Sequence, residues 1–217
     1  MERTLDEDAL VAELVRRHGA HTVVLFGSRA RGDATPESDV DVLAVRATGG
    51  PLRDVTPWRG LALDVHVVDD AGLAGFVETH LTALVDARVL AEAADAGTRL
   101  VATIRARLAQ PRPALEDGAR RAEFAWGDKM RLRIRQADPV LRAFRRAEVL
   151  ALVLEAWSAV RGRWHFGPKA TLRTLPADDP ATYAAYVAAT RADAPAEAFD
   201  RLLDAVFPAS LRPPERA

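Results

Sequence analysis

The segment LFGSRARGDATPESDVDVLAV, from Leu25 to Val45, decides the fold of this chain. An apolar stretch leads into a Gly-Ser turn and an arginine-rich loop, and a second apolar stretch then carries Asp39 and Asp41. Side chains two residues apart in a strand lie on the same face of a sheet, so this spacing predicts that the two carboxylates point together. Their mutual repulsion, which burial increases, predicts a compensating cation beside them.

A third acidic residue, Asp64, interrupts the next apolar stretch, LALDVHVV from Leu61 to Val68. If this strand neighbours the one before it, Asp64 converges with Asp39 and Asp41. Mg²⁺ prefers carboxylate and phosphate oxygens, and two Mg²⁺ ions held roughly 4 Å apart can clamp a phosphoryl group during an in-line displacement. His66 shares the strand face of Asp64, and we favour a packed histidine over one that contacts a substrate.

The turn between the first two strands has the features of an anion-binding site. Gly27 allows the backbone to approach a phosphate closely, and Ser28 is predicted to cap a short helix over residues 29–32 whose N-terminal amides attract anions. Arg31 lies on the following turn and is predicted to make a charge-assisted contact with a triphosphate. An anion-binding turn followed by a metal-binding strand suits a metal-bound nucleoside triphosphate.

The G-S pair, ten intervening residues and D-V-D-V resemble the signature of the nucleotidyltransferase superfamily related to DNA polymerase β. GSRARGDATPESDVDV is especially similar to the minimal nucleotidyltransferases and the aminoglycoside nucleotidyltransferases. The resemblance implies that Asp39 and Asp41 hold both Mg²⁺ ions, that Asp64 is the third catalytic and metal-binding carboxylate, and that Gly27 and Ser28 bind phosphates of ATP or another NTP. It also implies transfer of a nucleoside monophosphate, usually AMP, to a hydroxyl group, with release of pyrophosphate.

The rest of the chain predicts two domains, separated at the proline-containing segment AQPRP (109–113). Both strands and helices are predicted before this segment, whereas apolar residues recur at helical spacing almost throughout the chain after it. The predicted fold class is α+β. Residues 1–110 form a small mixed β-sheet nucleotidyltransferase domain with flanking helices, and residues 111–217 form an all-α helical bundle domain that contributes to the acceptor cleft.

Within the first domain, the clearest strands are predicted at residues 22–26, 39–45 and 61–68, with a short fourth strand near 88–90. Residues 46–60 are predicted to be irregular. In the second domain, a loop is predicted over residues 161–171.

Composition narrows the class of protein. Hydrophobic residues make up 49% and charged residues 28% of the chain, as in soluble globular proteins. Cysteine is absent, which excludes disulfides and thiolate chemistry and makes the cytoplasm the expected location. No apolar run approaches the length of a membrane span. A net charge of −1 argues against a dedicated nucleic-acid-binding protein.

The helical domain offers candidates for the remaining roles. Only two of the thirty basic residues are lysines, and Lys169 follows a Gly-Pro turn from which it is predicted to reach the triphosphate.

The general base is either Asp64, acting through the metal, or a carboxylate of the second domain, for which Glu123, Asp128 and Glu155 are equal candidates. An arginine series in this domain (131, 133, 135, 142, 145 and 146) is interpreted as a solvated helix face in preference to a nucleic-acid contact.

Three acceptors or roles stay open at this point. A small hydroxyl compound resembling an aminoglycoside is the first expectation, which would make the protein an antibiotic-resistance enzyme. The same chemistry acting on a protein hydroxyl or a tRNA end is the alternative, and a nucleotide-binding module without turnover is the alternative from a different class. Members of the superfamily often form dimers, so the resemblance also implies a homodimer.

Overall fold

The structure is a computed structural model, and it describes residues 5–214. The chain divides into two units, residues 1–110 and residues 111–217. The first unit contains a five-stranded sheet with helices, and the described residues of the second unit form helices and loops without strands. The predicted fold class is therefore confirmed.

The first unit contains five strands and four helices among its described residues, and three of the strands follow one another directly. Its elements are α1 (Glu7–His18), β1 (Thr22–Phe26), α2 (Gly27–Arg31), β2 (Val40–Arg46), β3 (Leu52–Trp58), β4 (Leu61–Asp69), α3 (Leu73–His80), β5 (Arg88–Ala91) and α4 (Ala96–Leu108). The ends of α1 follow from its sequence. The Asp6 carboxylate accepts a hydrogen bond from the Ala9 amide at the start, and Gly19 ends the helix in a left-handed conformation.

The sheet has the strand order β3-β4-β2-β1-β5. β2 and β4 run parallel, and the other neighbouring pairs are antiparallel. Asp41 of β2 lies in register with Asp64 of β4 on one side and with Phe26 of β1 on the other. The two acid-bearing strands are therefore adjacent, and both carry their acids near the strand start.

The two faces of the sheet are occupied differently because successive side chains of a strand point to opposite faces. On one face, Leu10 and Leu14 of α1 pack with buried apolar residues of the central strands, including Val42 and Val65. Asp41 and the residues in phase with it belong to the other face. Burying the first face fixes the register of β2 and β4, and this register sets the acids side by side.

The strand β3 corrects the prediction that residues 46–60 are irregular. Leu52–Trp58 forms an edge strand that pairs only with β4 among the described strands. Edge strands are exposed, so they need no continuous apolar pattern and tolerate a proline such as Pro57. Val55 illustrates this, because 62% of its surface remains exposed.

The second unit contains five helices and a short 3₁₀ turn within the described residues. These are α5 (Asp117–Arg133), α6 (Pro139–Val160), α7 (Pro168–Asp178), α8 (Pro180–Ala189), α9 (Ala196–Val206) and the turn Ala209–Leu211. Their shared core includes Phe124, Leu154, Trp157, Phe199 and Leu203. The predicted loop over residues 161–171 is too long, because Pro168 starts α7 at a position where helices accept proline.

The helix α6 is the longest element, with 22 residues. Its start is fixed by Asp138, whose carboxylate accepts hydrogen bonds from the Val140 and Leu141 amides. Neither α6 nor any other helix among residues 5–214 combines the length and hydrophobicity needed to cross a membrane.

Candidate active site

Three carboxylates meet at the start of β2 and β4. Asp39 directly precedes β2, Asp41 is its second residue, and Asp64 lies opposite Asp41 on β4. One oxygen from each carboxylate lies within 4.8 Å of the others. Asp39 is exposed, Asp41 is half-buried and Asp64 is buried. The structure thus brings together the three acids that the sequence pattern selects.

The electrostatics of Asp41 reflect this crowding. Burial and, to a smaller degree, the neighbouring charges of Asp39 and Asp64 together raise the pKa of Asp41 to about 6, against a smaller opposing effect of Arg31 and Arg53. A carboxylate with a raised pKa between two others marks a place where negative charge is incompletely compensated.

Arg53 supplies part of the compensation, and sequence reasoning missed it. Its Nε and Nη2 atoms donate to Oδ1 and Oδ2 of Asp64 at 3.0 and 2.6 Å. This two-point contact lowers the pKa of the Asp64 carboxyl against the effect of burial. Arg53 belongs to the strand that was predicted to be irregular, and recognition of β3 as the neighbour of β4 would have revealed the pair.

Position 27 requires glycine because the Asp41 carboxylate lies close to the backbone there. Its φ is +72°, in the left-handed region that favours glycine, and a Cβ at this position would collide with the Asp41 carboxylate. The Gly-Ser turn and the acidic pair are therefore one structural unit, because a side chain at position 27 would push the carboxylate away.

The role predicted for Ser28 as a helix cap is wrong. The helix α2 starts at Gly27 with Phe26 as its N-cap, and no side chain caps its first amides. The Ser28 carbonyl instead accepts hydrogen bonds from the Gly32 and Asp33 amides at the end of the helix. The Ser28 side chain is half-buried at the turn.

The two arginines of α2 have different contacts. Arg29 donates to the backbone carbonyls of Ser38 at 2.8 Å and Asp39 at 3.0 Å, which fixes the chain where the first acid projects. Arg31, predicted to contact a triphosphate, donates to Asp33 at 3.2 Å instead. It is exposed and acts on Asp41 only through its charge.

His66 lies on the same face as Asp64 and is packed among aromatic rings. Its ring centroid lies 5.2 Å from those of Phe76 and His80 and 6.1 Å from that of Phe26. Burial lowers the pKa of His66, so the ring is neutral at physiological pH. These contacts favour the interpretation of His66 as a packed histidine.

The remaining candidates lie in the second unit. Lys169 is in the first turn of α7, and its contact with a triphosphate stays a prediction. Asp128 is held by Arg212 at 3.0 Å. Glu123 and Glu155 line a common cavity of about 350 Å³ with Trp126. Burial and the charge of Glu155 raise the pKa of Glu123.

One family model matches the segment of the chain that holds the acids. Residues 8–72 match the family described as "Nucleotidyltransferase domain", a segment that includes Gly27, Ser28 and all three aspartates. A nucleotidyltransferase-like protein from Exiguobacterium sibiricum 255-15 has a similar structure, with a TM-score of 0.49 and 13% identity over 92% of this chain and 71% of that one. No curated protein matches the sequence. The family match confirms the predicted resemblance to nucleotidyltransferases.

Proposed function

We propose that this protein is a Mg²⁺-dependent nucleotidyltransferase that transfers AMP from ATP to a hydroxyl group and releases pyrophosphate. The observation that carries the proposal is the meeting of Asp39, Asp41 and Asp64 beside the turn at Gly27, within the segment that matches the nucleotidyltransferase family. Catalysis of this kind depends on positioning and on neutralisation of charge, and both demands fit the arrangement.

The residues of the cluster fit a hard divalent cation. All three candidate ligands are carboxylates, which suit Mg²⁺ better than softer metals. The raised pKa of Asp41 indicates that Arg53 and Arg31 leave the repulsion incompletely balanced. Asp39 and Asp41 would hold two ions and Asp64 would complete the site. When bound, Mg²⁺ would neutralise the acids and stabilise negative charge on the transferred phosphoryl group.

The protein groups around the cluster would then bind and orient the nucleotide. The open backbone at Gly27 would admit the triphosphate, and Ser28 would contact it from the same turn. Arg31, which is exposed and held only by neighbouring aspartates, would exchange its contact with Asp33 for a phosphate oxygen. Arg29 would keep Asp39 in place through its bonds to the preceding backbone.

In this proposal Asp64 would serve as the general base, acting through the metal. It would accept the proton of the acceptor hydroxyl while Arg53 releases one of its two oxygens. The Arg53 side chain is 63% exposed, so it can move into solvent without a packing loss. A carboxylate of the second unit remains the alternative base.

The acceptor we propose is a small compound that carries hydroxyl and amino groups, resembling an aminoglycoside. The cavity lined by Glu123, Glu155 and Trp126 supports this choice, because two carboxylates and an indole ring suit protonated amines. Its volume of about 350 Å³ lies within the range of small-molecule sites.

Pyrophosphate release tests the proposal. The protein is incubated with ATP and Mg²⁺ and with, in turn, an aminoglycoside panel, tRNA and a protein acceptor, and Asp41→Asn serves as the inactive control. Acceptor-dependent release that disappears in the variant supports nucleotidyl transfer, and the productive arm identifies the acceptor class. ATP binding without release in every arm would instead assign a nucleotide-binding module and overturn the proposal.

A further inference from the structure

A second cavity lies within the helical unit, and its lining contains three arginines. It has a volume of about 270 Å³. Arg142 and Arg146 are four residues apart on α6 and therefore share one face of the helix, and Arg191 follows the end of α8. Small residues such as Ala143 and Ala147 leave room between the guanidinium groups.

Within the part of the chain that the structure describes, no carboxylate neutralises Arg142 or Arg146, the two arginines of α6 that line the cavity. Arg142 donates one hydrogen bond to the Gln136 carbonyl at 3.1 Å, and Arg146 donates one to the Ala194 carbonyl at 2.9 Å. The Nε atoms of Arg145 and Arg146 are both buried and lack an acceptor there, but of the two only Arg146 lines the cavity. A buried donor without an acceptor is destabilising, and a bound ligand is one way to satisfy it.

The charges around the cavity leave a net positive balance. Arg191 donates to Asp193 at 3.2 Å, and Asp138 caps the start of α6. Neither acid lines the cavity, and together they offset two of the three guanidinium charges at most. The start of α6 and the end of α8, which both border the cavity, carry opposite partial charges that offset each other.

Three other arginines of the same segment are paired with acids, whereas Arg133 has no acidic partner among the described residues. Arg131 and Arg135 contact Asp200, and Arg145 donates to Glu148 at 2.7 Å. Within this series, positive charge without an acidic partner is therefore confined to Arg133 and to the two arginines at the cavity, Arg142 and Arg146. This distribution suits a compact anion better than a polynucleotide, which needs a continuous positive surface.

We infer that this cavity binds the phosphoryl group of a small phosphorylated compound, or inorganic phosphate. Guanidinium groups present paired donors that match phosphate oxygens. The Arg146 side chain is preorganised for ligand binding, because its guanidinium lies 5.2 Å from the centre of the Phe199 ring and donates to the Ala194 carbonyl. The cavity is near the lower limit of small-molecule sites, which suits one phosphoryl group with a small substituent. The inference is independent of the proposed function, since no residue of this cavity belongs to the acid cluster or lines the cavity of Glu123 and Glu155.

Isothermal titration of the full-length protein tests this site. Inorganic phosphate, glycerol 3-phosphate, acetate and a short RNA are titrated separately, without divalent metal and at constant ionic strength. Arg142→Gln and the exposed Arg191→Gln remove lining guanidinium groups, and Arg145→Gln is the matched control on the same helix. We expect Arg142→Gln to weaken phosphate binding about tenfold or more, Arg191→Gln to weaken it in the same direction, and Arg145→Gln to leave it within about twofold.

The titrations with glycerol 3-phosphate and with inorganic phosphate distinguish the two possible ligands. Tighter binding of glycerol 3-phosphate than of inorganic phosphate identifies a phosphorylated compound. Circular dichroism verifies that each variant is folded, and Arg191→Gln decides the matter if Arg142→Gln does not fold. The inference is overturned by acetate binding as tightly as phosphate, by equal losses in Arg142→Gln and Arg145→Gln, or by RNA binding that depends equally on all three arginines.

Discussion

Arg53, on the neighbouring edge strand, donates hydrogen bonds to both carboxylate oxygens of Asp64, at 3.0 and 2.6 Å. The carboxylate is mostly buried, whereas the Arg53 side chain is 63% exposed. The protein therefore contributes one cation of its own to a cluster of three acids. Because the raised pKa of Asp41 persists beside this cation, the cluster still favours further positive charge.

Replacement of Arg53 should alter stability and metal binding in opposite directions. Arg53→Gln removes a favourable contact with Asp64, so the free energy of unfolding of the metal-free protein should fall, but only slightly, because the Arg53 side chain is exposed to solvent. The stabilisation by Mg²⁺ should increase, because the cluster becomes more negative. Urea unfolding with and without Mg²⁺ measures both quantities. Arg88→Gln, which breaks the exposed pair with Glu7, is the matched control and should leave the Mg²⁺ effect unchanged.

Replacement of Asp41 should stabilise the metal-free protein and abolish its response to Mg²⁺. Burial and the charges of Asp39 and Asp64 raise the pKa of Asp41 to about 6, so its ionised form opposes folding. At pH 7–8, Asp41→Asn should raise the free energy of unfolding by about 1–2 kcal/mol, less than the full pKa shift implies because solvent screens a half-buried carboxylate. Thermal unfolding with and without Mg²⁺ checks this result. A variant that is destabilised, or that still responds to Mg²⁺, would refute the role assigned to the carboxylate.

The same shift gives a pH dependence with a defined sign. Between about pH 4 and pH 6, the folded protein retains a proton on Asp41 that the unfolded chain has lost. Stability contributed by this group is therefore full below the unfolded pKa and declines as pH rises through the folded pKa. The stability difference between Asp41→Asn and the wild type should grow across this interval and become constant above it. Urea titrations of both proteins at several pH values give the difference directly, and a gap that narrows with rising pH contradicts the prediction.

Gly27 and Gly32 provide a matched pair for testing the close approach at the turn. Both have positive φ, +72° and +82°, but only a Cβ at position 27 would meet the Asp41 carboxylate, since nothing lies within 4 Å of a Cβ at position 32. Gly32→Ala should cost about 1 kcal/mol from backbone strain alone. Gly27→Ala should cost more and should also weaken Mg²⁺-induced stabilisation by displacing the carboxylate. Equal effects of the two substitutions would show that the contact with Asp41 is unimportant.

The acid cluster was predictable because local spacing determines it. Asp39 and Asp41 share a face by the period of a strand, and Asp64 follows once the second and third apolar strands are adjacent. Arg53 was not predictable, because an exposed edge strand has no apolar pattern that identifies it. The misassigned cap at Ser28 has another cause. Caps are defined by where the helix starts, and the turn at Gly27 moves that start one residue ahead of the serine.

The arginine series in the second unit also shows what a sequence pattern alone cannot predict. The sequence presents its members as one basic helix face, but the fold pairs Arg131, Arg135 and Arg145 with acids and leaves Arg142 and Arg146 at a cavity. The partners that make this distinction, such as Asp200, are distant in sequence and become neighbours only through packing of α5 against α9. Long-range pairing therefore decides which charges remain available to a ligand.

A crystal soaked with Mn²⁺ and a non-hydrolysable ATP analogue tests the central claim most directly, because Mn²⁺ replaces Mg²⁺ and is visible by anomalous scattering. We predict anomalous peaks within bonding distance of Asp39, Asp41 and Asp64, with the triphosphate at the turn of Gly27 and Ser28. A well-ordered nucleotide with no anomalous peak at these three carboxylates would contradict the account.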